Sequence, residues 1–186
     1  MLDATVWLSL LESEKSTTPS SFCLVTVLSI DENKNTIDCK DAETNTMYQK
    51  QSISLFFPTN KITEVGYNDM VDMENLNEAE LLHNIKLRYQ KNKIFTYVGP
   101  TLLVVNPYSV INSLVSNENL ENYKKKVYEA NFMLKDVDPH VWGIGALCIK
   151  NLVETKKSQA IVISGESGAG KTENTKLALK FITCVG

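Results

Sequence analysis

The sequence predicts an α/β chain with a small β-rich segment at its start, and three observations carry that reading. The first 58 residues hold β-branched runs broken by polar turns. Two uninterrupted apolar stretches, Thr101–Val105 and Ala160–Ser164, suit strands buried on both faces of a sheet. A glycine-rich turn separates the second stretch from a helical pattern over Lys171–Cys184.

Composition sets the outer bounds. The chain has 186 residues, 43% apolar and 22% charged, which excludes a disordered tail, a fibrous repeat and a membrane bundle. Nineteen basic and 22 acidic residues give a formal charge of −3. No nucleic-acid partner is expected, because that needs a clustered basic face. The charge is uneven: residues 1–100 carry 9 basic and 14 acidic groups, and residues 101–186 carry 10 and 8. Cys23, Cys39, Cys148 and Cys184 form no C-x-x-C pair and are joined by only two histidines, so neither a zinc site nor a disulfide framework is expected. The start lacks a basic region and has Asp3 where a signal peptide would be positive. No apolar run approaches the ~18 residues of a membrane span. These features together predict a soluble, cytoplasmic chain with reduced thiols and no membrane span.

The elements follow in order. Phe22–Ile30 and Thr36–Cys39 flank the turn-forming Asp31–Asn35 and read as a hairpin. Ser52–Phe57, stopped by Pro58, adds a short strand, so residues 1–58 suggest a small barrel or meander. A polar connector leads to a helix with Asn77 as N-cap and Glu80 three residues on. Leu82, Ile85 and Tyr89 mark its buried face, and its end falls near Gln90–Lys93. Ile94–Val98 and Thr101–Val105 are strands divided by Gly99-Pro100, and the second runs into the turn signal Asn106-Pro107. Residues 109–138 read as loop and helix. Asp138-Pro139 starts a further helix whose Val141, Ile144, Cys148 and Leu152 share a face. Ala160–Ser164 is the last strand before the glycine-rich turn.

That turn carries the chemistry. Gly165–Thr172 reads GESGAGKT and satisfies G-x-x-x-x-G-K-[ST] between an apolar run and a helix. Phosphates need many short donors. Gly165, Gly168 and Gly170 lack a Cβ, so the backbone can curl and aim its N–H groups inward. The helix starting at Lys171 adds its positive dipole end. Lys171 reaches the β- and γ-phosphates, and the Thr172 hydroxyl ligates Mg²⁺. The motif predicts binding of a nucleoside triphosphate with magnesium, but binding is not hydrolysis. Hydrolysis also needs a downstream acidic residue and a group that places water. The 14 residues after Thr172 contain no Asp, and Glu173 suits the helix dipole. Asp31 ends an apolar run but reads as a turn residue.

Gly165–Lys176, GESGAGKTENTK, resembles the phosphate loop of the myosin motor domain over its whole length. Thr101–Tyr108, TLLVVNPY, is similar to that family's strand and Asn-Pro-aromatic adenine loop. Pro139–Trp142 looks like its Pro-His-Ile-Phe helix opening, and Leu81–Tyr89 like an early helix of the same family. The resemblance covers about residues 60–186, and more weakly Val6-Trp7 and the β-rich start. It implies an α/β, P-loop NTPase-type mixed sheet, partial here, with a small SH3-like β-rich N-terminal subdomain at residues 1–58. Residues 59–186 would be the N-terminal part of a motor domain. It further implies ATP and Mg²⁺ as cofactors, with Gly165, Glu166, Ser167, Gly168, Ala169, Gly170, Lys171 and Thr172 around the phosphates. Ser167 would meet the γ-phosphate and Thr172 the metal. Asn106, Pro107 and Tyr108 would line the adenine, and Asn174 would support the site. No catalytic residue is assigned. Actin filaments and light chains are implied as partners of the full-length protein, in the cytoplasm and cytoskeleton.

The chain departs from that pattern in two ways. Ser109 stands where a basic residue is common, and Leu114 where a Tyr is common, so Tyr123 is a candidate for the missing ring. Switch I, switch II, the actin-binding cleft and the lever would all lie beyond residue 186, so the chain reads as the N-terminal quarter of a motor. The rival reading is a truncated nucleotide-binding module without ATPase or motor activity. A small P-loop kinase is disfavoured because 164 residues precede the loop. The remaining conspicuous side chains have plainer roles: His83 and His140 in packing or capping, Lys124–Lys126 on a solvated face, Arg88 paired with carboxylates, and Trp7 and Trp142 in packing.

Overall fold

The computed structural model describes residues 3–10, 21–61 and 63–185. They group into two compact units, Met1–Ile62 with Glu74–His83, and Thr63–Met73 with Asn84–Gly186.

The first unit is an antiparallel five-stranded sheet. Its strands are β1 (Thr5–Ser9), β2 (Phe22–Asp31), β3 (Thr36–Asp41), β4 (Met47–Ser52) and β5 (Phe56–Pro58), in the order β4-β3-β2-β1-β5. Strict alternation along β2 puts Cys23, Val25 and Val27 on the buried face. Leu8, Ile37, Cys39 and Tyr48 complete that core. The β2–β3 turn forms as the sequence predicts, with Asp31 Oδ1 accepting from the Lys34 N–H at 3.1 Å. A register shift between Val27 and Ser29 bends the hairpin.

Helix α1 (Glu78–Gln90) begins as expected, the Asn77 Oδ1 accepting from the Glu80 N–H at 3.1 Å. The Glu80 carboxylate does not complete a capping box. It is buried and accepts instead from Trp7 Nε1 at 2.6 Å and from both the N–H and Nδ2 of Asn60. His83 packs tilted against the Trp7 ring, centroids 5.0 Å apart.

The face of α1 differs from its apolar pattern. Leu82 and Tyr89 are exposed, whereas Asn84 and Arg88 are buried. Polar partners distant in sequence outbid the apolar periodicity here. Asn84 exchanges hydrogen bonds with the Tyr67 backbone, and Arg88 donates to Thr96 Oγ1, Asn68 Oδ1 and the Phe95 carbonyl, each at 2.8 Å. The expected carboxylate partners of Arg88 are thus replaced by neutral oxygens. Gly66 is required beside them: at φ +75, a Cβ there would lie 2.5 Å from Asn84 Oδ1.

In the second unit β6 (Phe95–Val98) and β7 (Thr101–Val104) form an antiparallel hairpin. A single parallel bridge, Asp69 to Tyr97, extends it. The short α2 (Asn112–Val115) and α3 (Asn117–Glu129) follow, then α4 (Val141–Thr155) and α5 (Lys171–Val185). His140 caps α4, Nδ1 accepting from the Trp142 N–H at 3.1 Å. Its Nε2 therefore carries the proton that bonds the Leu114 carbonyl at 3.0 Å. Phe95, Leu120, Tyr123, Val127, Trp142, Ala146 and Phe181 form the core. The four helices, chiefly α4 against α5, enclose more of it than the hairpin does.

Two strand expectations change. Thr101–Val104 pairs on one side only and is half-buried rather than enclosed on both faces. Ala160–Ser164 forms no strand, and Val162 is 87% exposed. A β-strand exists only through a neighbour's hydrogen bonds, and among the described residues no strand lies beside this run. Among the described residues this unit holds only the antiparallel hairpin and one parallel bridge, and the expected P-loop-type mixed sheet is not seen.

Candidate functional site

Gly165–Gly170 connects the unpaired run to α5. Gly165, Gly168 and Gly170 have φ of +149°, +78° and +91°, in the region that L-residues rarely enter. A Cβ on Gly165 would lie 3.2 Å from Ala169 Cβ, and one on Gly170 would meet Asn174 Nδ2 at 3.6 Å and Asn106 Cγ at 3.9 Å. Space is therefore tight at Gly165, ordinary at Gly170 and open at Gly168, where such a Cβ would meet nothing within 4 Å, so at the last two it is the positive φ that favours glycine.

The first turn of α5 points its amides at this loop. Its Asn174 N–H reaches the Gly170 carbonyl at 3.0 Å, so the preceding amides of the helix have no intrahelical acceptor. The Lys171 ammonium folds over the loop, Nζ donating to the carbonyls of Gly165 (2.7 Å) and Glu166 (2.8 Å). The Thr172 side chain is exposed. Glu173 pairs with Lys176 at 2.7 Å, one turn along the solvent face. The Glu166 carbonyl also accepts from the Ala169 N–H at 3.2 Å, closing a tight turn.

The other predicted loop lies alongside. Asn106 Nδ2 donates to the Gly168 carbonyl at 2.6 Å, across 62 residues of sequence. Its Oδ1 accepts from the Tyr108 N–H at 2.9 Å. That hydrogen bond supports Tyr108 at φ +50°, an uncommon conformation for a bulky residue. The Tyr108 ring is 84% exposed. Asn174 Nδ2 donates to the Gly170 carbonyl at 3.0 Å, and its buried Oδ1 has no hydrogen-bond partner among the described residues. Three side chains thus hold the glycine loop at separate carbonyls: Asn106 at Gly168, Asn174 at Gly170, and Lys171 at Gly165 and Glu166. Pro107 follows Asn106 in the same loop, and Ser167 is exposed at the crest.

Tyr123 does not join them. It is buried in the core, its hydroxyl donating to the Asp138 carbonyl at 3.0 Å, and burial raises its pKa. A ring at that position is committed to packing rather than to a base. The sequence reading also missed that Asn106 binds the glycine loop; a bond between segments so far apart leaves no local pattern. Among the described residues, no group of three His, Cys, Asp or Glu side chains could hold a metal ion by itself. Nor is any helix there long and apolar enough to cross a membrane.

A glycine loop at a helix start is joined by an asparagine to a second loop from a strand end. Residues 67–186 match the family described as Myosin head (motor domain), and the chain belongs to that family. It is 42% identical over 131 residues to unconventional myosin-VI of Sus scrofa, a match covering 70% of this chain and 10% of that protein. Unconventional myosin-VIIb of Mus musculus is 37% identical over 135 residues, 73% of this chain and 6% of that protein. Myosin-3 of Arabidopsis thaliana is 36% identical over 129 residues, 69% of this chain and 10% of that protein. The chain spans about a tenth or less of the length of these relatives.

Proposed function

We propose that this chain is the ATP-binding, N-terminal portion of an actin-based motor that couples ATP hydrolysis to movement along filaments. Membership of the myosin head family supports the motor class. The single observation that carries the nucleotide reading is the glycine loop with three positive-φ glycines opening α5 under Lys171. In this reading residues 59–186 begin a P-loop NTPase-type motor domain, and residues 1–58 are an SH3-like subdomain.

The loop amides from Gly165 through Gly170, with Glu166, Ser167 and Ala169 between, surround the phosphates. Lys171 exchanges its two carbonyl partners for phosphate oxygens, which offer it full negative charge. Ser167 meets the γ-phosphate. Thr172 is the one hydroxyl offered to Mg²⁺, and the metal's other ligands come from the triphosphate and water, as suits that ion. Asn106, Pro107 and Tyr108 border the adenine, and Asn174 steadies the loop. Actin filaments and light chains are partners of the full-length protein, in the cytoplasmic actin cytoskeleton.

Equilibrium titration with Mg·ATP tests it. Lys171→Ala removes a charge-assisted contact of roughly 1.5–3 kcal/mol, about ten- to hundredfold in Kd. Unchanged ATP affinity in that variant would refute the assignment of this loop.

A further inference from the structure

We propose that Asn106 is a positioning residue for the phosphate end of the site, acting through the backbone of Gly168. The inference rests on the nucleotide reading above and assigns Asn106 a role distinct from bordering the base.

The argument follows consecutive hydrogen bonds. Asn106 Nδ2 holds the Gly168 carbonyl at 2.6 Å. The peptide unit is planar and trans, so fixing that carbonyl fixes the opposite-facing N–H of Ala169. That N–H donates to the Glu166 carbonyl at 3.2 Å. The same carbonyl accepts from Lys171 Nζ at 2.8 Å. Until the lysine turns to phosphate, a relay therefore runs from the Asn106 side chain through the Gly168–Ala169 peptide and the Glu166 carbonyl to Lys171, and it sets the loop's shape before the ligand arrives.

Gly168 is where such a restraint has most effect. Its φ is +78° and a Cβ there would touch nothing within 4 Å, so no steric contact on that side restricts its backbone. Glycine also has the widest backbone freedom to lose. The asparagine supplies the missing constraint. Its other end, Oδ1, holds the Tyr108 N–H at 2.9 Å and so ties the crest to the loop that would border the base. Movement of the base loop is thereby passed to the phosphate loop by a single side chain.

Inorganic tripolyphosphate, which has no base, separates the two roles. Its affinity and that of Mg·ATP are measured by calorimetry on the 186-residue chain and on three variants, with thermal melts to show that each is folded. Asn106→Ala should weaken tripolyphosphate binding about tenfold, the effect of one hydrogen bond to a preorganised loop. Asn106→Asp keeps the acceptor for Tyr108 but sets a carboxylate against the Gly168 carbonyl, and should weaken it at least as much. Tyr108→Ala, which leaves the relay intact, should spare tripolyphosphate. If both Asn106 variants bind tripolyphosphate within twofold of the parent while losing ATP affinity, Asn106 only borders the base and the inference is overturned. If the parent binds neither ligand, the nucleotide reading itself fails, and this inference with it.

Discussion

Gly143→Ala sets two effects of opposite sign against each other at one buried position. Gly143 lies in the first turn of α4, where alanine is the better helix former by up to about 1 kcal/mol. A Cβ there, however, would lie 2.7 Å from Tyr97 Oη, 2.8 Å from Tyr123 Oη and 3.2 Å from Leu134 Cδ2. Neither oxygen can easily retreat: both rings are buried, and Tyr123 is held by the Asp138 carbonyl at 3.0 Å. Two simultaneous contacts that short put the overpacking cost at the upper end of its usual range, about 3 kcal/mol. The difference is a net loss of about 2 kcal/mol, read as a lower urea midpoint with unchanged slope. A double-mutant cycle isolates the cause. In a Tyr97→Phe/Tyr123→Phe background the two oxygens are gone, so Gly143→Ala should become neutral to stabilising by up to about 1 kcal/mol, a coupling of about 2–3 kcal/mol. A neutral or stabilising Gly143→Ala in the parent chain would refute the steric argument. An equal loss in both backgrounds would show that the oxygens are not its source.

Two further outcomes follow from caps in the same unit. Burial pushes the His140 pKa from 6.5 down to about 4, so the ring is neutral when folded. Between those values the unfolded chain takes up a proton that the folded chain refuses. Stability is therefore full above pH 6.5 and falls as pH drops towards 4, by about 3 kcal/mol over the window. His140→Asn, which retains a capping acceptor, should flatten that slope in urea melts at pH 7 and pH 5, and an unaltered slope would assign it to other groups. Lys156 ends α4 in the left-handed region at φ +56°. Lys156→Gly should raise the melting free energy by roughly 0.5–1 kcal/mol, and a loss would mean that the lysine makes a contact outweighing its backbone strain.

What the sequence made legible was local. The Asn77 cap, the Asp31 turn, the start of α4 after Pro139 and the glycine loop before α5 each depend on residues a few positions apart, and each forms where its pattern places it. Leu82, Tyr89 and Ala160–Ser164 deceived because burial and strand pairing are settled by distant segments. An apolar period on α1 competed with Gly66, Tyr67, Asn68 and Thr96, which offered Asn84 and Arg88 hydrogen bonds that no helical pattern encodes. In the site, the residue types in each loop were legible from spacing. The bond from Asn106 to Gly168 was not, since it is a tertiary contact between two turns. Tyr123 shows the converse error: a ring at a plausible distance along the chain was already claimed by the core.

The unpaired run Ala160–Ser164 also bears on how such a chain fares in a crowded cell. AIVIS has no charge and no proline, and three of its five residues are β-branched or strongly apolar. Such a segment, paired with no strand among the described residues, is a template for cross-β growth from chain to chain. Whatever pairs with that run completes a sheet and, in the same act, withdraws a seed for aggregation.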